Sequence, residues 1–217
     1  EPLLAFSPME GREVDVHPLR GLLRYGPYTK GVFARFTPTI RVVTVGPTSG
    51  WEARVELMGS LKVAHEPNDR REYLQPYAGF ERVFRAALSG VRRDAHVAWP
   101  DSLSELPGKG APEQRLVSLL ETTMARLALM RDEFDVALVH LPDAWLPVTK
   151  TRSLDAHDVL KALGARHNIP TQVVNDRAFT FKYRASIAWR LGIALYVKAG
   201  GVPWKLARLD GVPDDTA

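Results

Sequence analysis

The stretch Phe134-Asp-Val-Ala-Leu-Val-His-Leu141 is apolar at nearly every position. A strand with one wet face alternates apolar and polar side chains. A continuous run of this kind therefore belongs in the middle of a parallel sheet covered on both faces. Ile40-Arg-Val-Val-Thr-Val45, stopped by Gly46-Pro47, reads as a second strand, Ala95–Trp99, closed by Pro100, as a third, and Thr171–Val174 as a short fourth.

Between these runs the spacing becomes helical. Val55, Leu57, Met58 and Leu61 form one series, and Tyr73, Leu74, Tyr77, Phe80, Val83, Phe84 and Leu88 a second, up to Ser89-Gly90. Pro112 suits the first turn of a helix whose stripe is Leu116, Leu119, Leu120, Met124, Leu127 and Met130. Further helices are expected from about Asp155 to Arg166 and from Phe181 to Lys198, and Asp101–Pro112 is expected to be a mobile loop. Strands alternating with helices predict an α/β fold, a Rossmann-like parallel sheet flanked by helices on both faces. Ligands of such sheets bind beyond the carboxyl ends of the strands. Residues 1–37, broken by Pro8, Pro18, Gly21 and the Gly26-Pro27 pair, read as short strands and turns that pack along something else.

A chain of 217 residues makes one large domain, or one domain with an appendage. It has no cysteine, hence neither a disulfide framework nor a thiolate metal site. No run of eighteen apolar residues appears and the start lacks a basic leader, so the expectation is a cytoplasmic protein without a membrane partner. The net charge of +4 is unevenly spread. Residues 150–208 carry eleven Lys and Arg against three acids, which leaves the remainder acidic. Such a basic segment is either a solvated face or the footprint of a polyanionic partner.

Three donors for an anion, and one ring, fall within this basic segment. His157 and Lys161 are four apart and flank the apolar stripe Ala156, Val159, Leu160 and Leu163 at the edge of the core. From there a lysine stem can be buried while its ammonium reaches an anion; an exposed surface pair is the plainer alternative. Gln172 follows Pro170-Thr171 at a strand's start, where its amide and neighbouring backbone N–H groups can donate to phosphate, or where it is simply a polar edge residue. Lys198 ends a helix before Ala199-Gly200-Gly201, a position equally suited to ordinary capping of the helix C-terminus.

Taken together, His-x-x-x-Lys, then Gln after Ile169-Pro-Thr, then Lys before Ala-Gly-Gly-Val-Pro-Trp204, resembles the MID domain of Argonaute proteins, with the segment that precedes it in short prokaryotic members. The resemblance covers most of the chain and is most specific from 157 to 206. It implies that Lys161, Gln172 and Lys198 hold the 5′-phosphate of a guide strand, that His157 contacts the first base, and that the backbone at Val173 adds a contact. It implies a domain order of 1–38 as an N-terminal segment packing on MID or PIWI, 39–201 as MID, and 202–217 as the start of the linker to PIWI. The PIWI nuclease fold and a PAZ module are then expected to be absent from this chain, which would perform no catalysis. Eukaryotic members have a further lysine where this chain has Ala194, so a divalent cation, Mg2+, is expected to neutralise the phosphate. The implied partners are a small guide RNA or DNA, its complementary target, PIWI and an APAZ-containing effector, in defence against invading nucleic acid.

Other patterns carry less. Gly46-Pro-Thr-Ser-Gly50 lacks the endings of a phosphate loop and reads as a turn. His17, His65, His96 and His140 have no zinc-ligand spacing, and no Gly-x-Ser-x-Gly elbow occurs. Trp51, Trp99, Trp145 and Trp189 read as core or loop anchors rather than stacking platforms. A Rossmann-like enzyme or binder of a nucleotide or sugar phosphate is the alternative, and an interaction scaffold a third reading. An enzyme should show an acid–base pair beside the phosphate site, whereas near 157–198 only donors are expected, with Asp158 pointing away.

Overall fold

The computed structural model describes residues 2–9, 11–31, 39–68, 70 and 72–207. In chain order the elements are β1 (Leu4–Ala5), β2 (Val14–Asp15), α1 (Pro18–Tyr25), β3 (Thr39–Pro47), α2 (Trp51–Ser60), α3 (Phe80–Phe84) and β4 (Ala87–Gly90). They continue with β5 (Val97–Trp99), α4 (Pro112–Leu129), β6 (Val136–His140), α5 (Leu146–Thr149), α6 (Ala156–His167), β7 (Thr171–Val174), α7 (Arg184–Lys198) and β8 (Lys205–Leu206). The chain divides into two compact units. One comprises residues 1–38, 63–87 and 183–217; the other comprises 39–62 and 88–182. Residues 32–38 of the expected N-terminal segment and 208–217 of the expected linker lie outside the described residues.

The second unit is the parallel sheet. Its strands run β4-β3-β6-β7, with β5 paired to β3. The β3–β5, β3–β6 and β6–β7 pairs are all parallel. As its apolar run predicts, β6 is buried at all five positions. Val43 and Val45 of β3 and Ala137 and Val139 of β6 share a core with Leu116, Leu120 and Met124 of α4 and Leu160 and Leu163 of α6. Side chains alternate along a strand, so Thr44, Gly46, Leu138 and His140 face the other side, where α2 lies. The mixed α/β sheet flanked by helices is thus as expected. At the start of the sheet, Arg41 Nη2 meets Asp135 Oδ1 at 3.1 Å and ties β3 to β6.

The first unit is assembled from three separate stretches. β1 pairs antiparallel with both β2 and β8 to make a small second sheet. Phe6, Leu22, Tyr77, Phe80, Phe84, Trp189 and Tyr196 are buried in it. The Trp189 indole donates to the Gln75 carbonyl at 2.8 Å, and the hydroxyls of Thr29 and Tyr196 lie 2.5 Å apart.

Four local expectations are corrected. Gly21–Tyr25 is not turn but α1, because Pro18 opens a helix and the His17 ring accepts from the Arg20 N–H. The series 73–88 is helical only over Phe80–Phe84. Pro76 lacks the N–H a helix needs, Gly79 sits at φ 92°, and Leu88 belongs to strand β4, which the spacing did not predict. Val55 of α2 is exposed and Arg54 takes the buried position instead. The third strand begins at Val97, after a 3-10 turn at Arg93–Ala95.

Candidate functional site

Asp155 starts α6 by accepting from the His157 backbone N–H at 2.9 Å, and Asn168 ends it in the left-handed conformation at φ 53°. The helix lies close to the start of β7, since a Cβ on Gly164 would come within 2.7 Å of the Ile169 carbonyl oxygen. On the outer edge of α6, His157 and Lys161 are exposed, with 51% and 61% of their side chains accessible. Asp158 does not point away. Its Oδ1 is 3.4 Å from Lys161 Nζ, because residues three apart on a helix meet on one surface, and 3.9 Å from Nδ1 of the adjacent His157. The cluster is therefore two candidate donors around one carboxylate, not donors alone.

Gln172 is half-buried at the second position of β7, in register with Leu138. Its amide nitrogen donates to the Val173 carbonyl at 2.9 Å. Val173 packs against the α4/α6 core, so Gln172 and its neighbour in register project to the opposite face of the sheet from α6. The structure thus gathers His157 and Lys161 together and sets Gln172 on the other face. Lys198 is the last residue of α7 in the first unit, half-buried, where a cation also favours the helix dipole.

A second polar cluster was not anticipated. The chain passes from β3 to β4 and β5 on one side and then to β6 and β7 on the other, so the order switches between β3 and β6. At the carboxyl ends of those two strands stand Gly46 and His140. His140 is 5% exposed, and its Nε2 meets Asp176 Oδ1 at 2.7 Å. Burial holds its pKa below the ordinary imidazole value, with Asp176 acting in the opposite direction. Its Nδ1 is buried without a partner. Arg54, 2% exposed, donates from Nη1 to the Pro47 carbonyl at 2.9 Å, while its Nε is buried and unpartnered. A Cβ on Gly50 would lie 2.8 Å from Arg54 Nη1 and 3.0 Å from His140 Nδ1, so the Gly46–Gly50 loop closes over both side chains. The readable signal was a histidine at the carboxyl end of the central strand, set aside for lacking metal-ligand spacing. Among the described residues no group of three or more His, Asp or Glu could hold a metal ion.

Fold and strand ends define a parallel α/β domain of the Rossmann-like kind, with polar groups at its switch point. No family model matches the chain, and no curated protein matches it significantly. Among solved structures it is similar to the crystal structure of Aa-Ago with externally bound siRNA, with a TM-score of 0.50 and 13% identity over 84% of this chain and 21% of that one. A structure of Aquifex aeolicus Argonaute matches with a TM-score of 0.48 and 14% identity, over 84% of this chain and 22% of that one. The chain thus has the fold of a stretch of Argonaute and spans about a fifth of the length of that protein.

Proposed function

We propose that this chain binds the 5′-phosphorylated end of a small guide RNA or DNA, as the MID part of a short prokaryotic Argonaute. One coincidence carries the reading: a fold shared with a fifth-length stretch of Argonaute, in a chain whose His157, Lys161, Gln172 and Lys198 follow the order of the MID grip. Lys161 and Lys198 neutralise the phosphate, the Val173 backbone donates to it, and His157 stacks on the first base, while Gln172, on the opposite face of the sheet from α6, is left out of the grip. Phosphate contacts set the register, and base pairing with the target strand reads the sequence. The work of the chain is binding, not bond-breaking. PIWI, an APAZ-containing effector, a cytoplasmic setting and a role in defence belong to the same proposal.

A Mg2+ ion fits this site only as one held chiefly by phosphate oxygens and water. The α6 cluster offers a single carboxylate, Asp158, already beside Lys161. Bound there, the ion would supply the positive charge that Ala194 does not.

The test compares 5′-phosphorylated and 5′-hydroxyl forms of one oligonucleotide. The phosphorylated form is expected to bind better, and Lys161→Ala or Lys198→Ala to weaken it by one to two orders of magnitude. A charge-assisted hydrogen bond contributes about 1.5–3 kcal/mol, which corresponds to that range. Equal affinity for the two forms sinks the reading.

The His140–Asp176 pair favours the second reading, a Rossmann-like enzyme or a binder of a nucleotide or sugar phosphate, because it is an acid–base pair at a strand end. Against catalysis stands the burial of Nδ1, which removes the free lone pair from reach of a substrate.

A further inference from the structure

A cleft of about 360 Å³ opens within the second unit between α2 and residues 90–96. This lies within the usual ~300–1,000 Å³ of small-ligand sites. Its wall contains Arg54, Lys62 and Arg93, the rings of Trp51 and His96, and no carboxylate. A smaller hollow shares Trp51, Arg54, Arg93 and His96 and reaches Thr48 and Ala98, at the ends of β3 and β5. That is where open parallel sheets hold their ligands.

The charges in this wall are unanswered. Among the described residues none of Arg54, Lys62 and Arg93 forms an ion pair. Arg54 is almost wholly buried, with one nitrogen on the Pro47 carbonyl and Nε on nothing. Asp101, the carboxylate that acts on it electrostatically, instead accepts from the Ser49 N–H at 2.7 Å. A buried cation without a counterion is costly, and a bound anion offsets that cost.

The rings are prepared as well. The Thr44 backbone N–H donates to His96 Nδ1 at 2.9 Å, so that nitrogen carries no proton and the imidazole is neutral. Burial lowers the His96 pKa in the same sense. His96 stands edge-on to Trp51 with ring centres 4.8 Å apart, and the Arg93 guanidinium lies 6.0 Å from the Trp51 ring centre. Trp51 and a neutral His96 supply flat apolar surface, while Arg93 supplies charge beside it.

We propose that this cleft binds one nucleotide, its phosphate drawn to Arg54, Arg93 and Lys62 and its base laid against Trp51 and His96. Inorganic phosphate would leave the rings unused, and an uncharged ring compound would leave Arg54 unanswered. The same chemistry is offered by a free mononucleotide and by one nucleotide of a strand. The inference does not rest on the guide-end reading, since none of its residues belongs to that grip.

The experiment is calorimetric titration of the whole chain with each of the four nucleoside 3′-monophosphates, which carry a 5′-hydroxyl and so lack the group of the guide end, with a 5′-hydroxyl single-stranded oligonucleotide, and with inorganic phosphate. It is repeated on Trp51→Ala, Arg93→Ala, Arg93→Lys and Lys161→Ala, each checked for an unchanged melting transition. At least one nucleotide probe is expected to bind at one site, tenfold or more weaker in Trp51→Ala and Arg93→Ala, partly restored in Arg93→Lys and unchanged in Lys161→Ala. Tighter binding of a monophosphate marks a free nucleotide as the ligand, and tighter binding of the oligonucleotide marks a strand. The proposal is overturned if no nucleotide probe binds, if binding ignores Trp51→Ala and Arg93→Ala, if its loss follows Lys161→Ala, or if inorganic phosphate binds as well as the nucleotides. The preference for a 5′-phosphate is read separately, so either reading can fail while the other stands.

Discussion

His157, Asp158 and Lys161 on α6 lie at an exposed helix edge, whereas Arg54 of α2, which donates to the Pro47 carbonyl at the end of β3, and His140 at the end of β6 are 2% and 5% exposed. Both groups carry a cation, Lys161 in one and Arg54 in the other, yet their surroundings give them different energetics. In water the Lys161–Asp158 pair is screened and adds little to folding, so its side chains remain available to a ligand. In the sheet, each polar atom left without a partner is a cost that the rest of the unit must offset. The difference teaches that an exposed site can be changed almost without touching the fold, while a buried one is bound up with stability.

The strongest way to break this contrast is Gly46→Val. Gly46 sits at φ 151°, and a Cβ there would lie 2.9 Å from both Arg54 Nη1 and His140 Cβ. Strained backbone and overpacking together should lower stability by about 3 kcal/mol or more, read as the midpoint of urea unfolding. A loss below about 1 kcal/mol would mean that the strand ends repack freely, and the contrast would fail.

A smaller effect concerns pH. His140 and His96 are both held below the ordinary imidazole value, chiefly by burial. Below about pH 6.5 the unfolded chain takes up protons that the folded chain refuses. Stability should therefore fall as the pH drops from about 6.5 through the folded pKa values, with no contribution from these groups above that window. Each such histidine contributes at most about 1.4 kcal/mol per pH unit. His140→Gln should flatten the slope relative to the parent in unfolding experiments from pH 7.5 to 5, and an unchanged slope would show that His140 protonates in place.

The smallest effect sharpens the other side. Lys161→Ala should change the unfolding free energy by no more than about 0.5 kcal/mol, as usual for an exposed helix pair. A substantially larger loss would place Lys161 among the structural residues and weaken its assignment to a ligand.

The sequence alone determined the parallel sheet, because burial on both faces leaves a mark no other element leaves: β6 is apolar through Val136–Val139 and β3 β-branched through Val42–Val45. It also determined α6, β7 and α7 to within a few residues, since caps and periodicity act over one or two turns of chain. It misread 73–88, where the helical spacing of Leu74, Tyr77 and Phe80 comes from burial in a unit built of three distant stretches. There the apolar positions answer to Trp189 and Tyr196, more than a hundred residues away. Tertiary structure alone decided that Gln172 and α6 take opposite faces of the sheet, and that Arg54, His140 and Asp176 meet, with His96 and Trp51 beside Arg54 in a cleft. Those residues come from separate strands, helices and loops, and no spacing along the chain encodes their approach. It is set by strand order and register, which depend on what the rest of the sheet can bury.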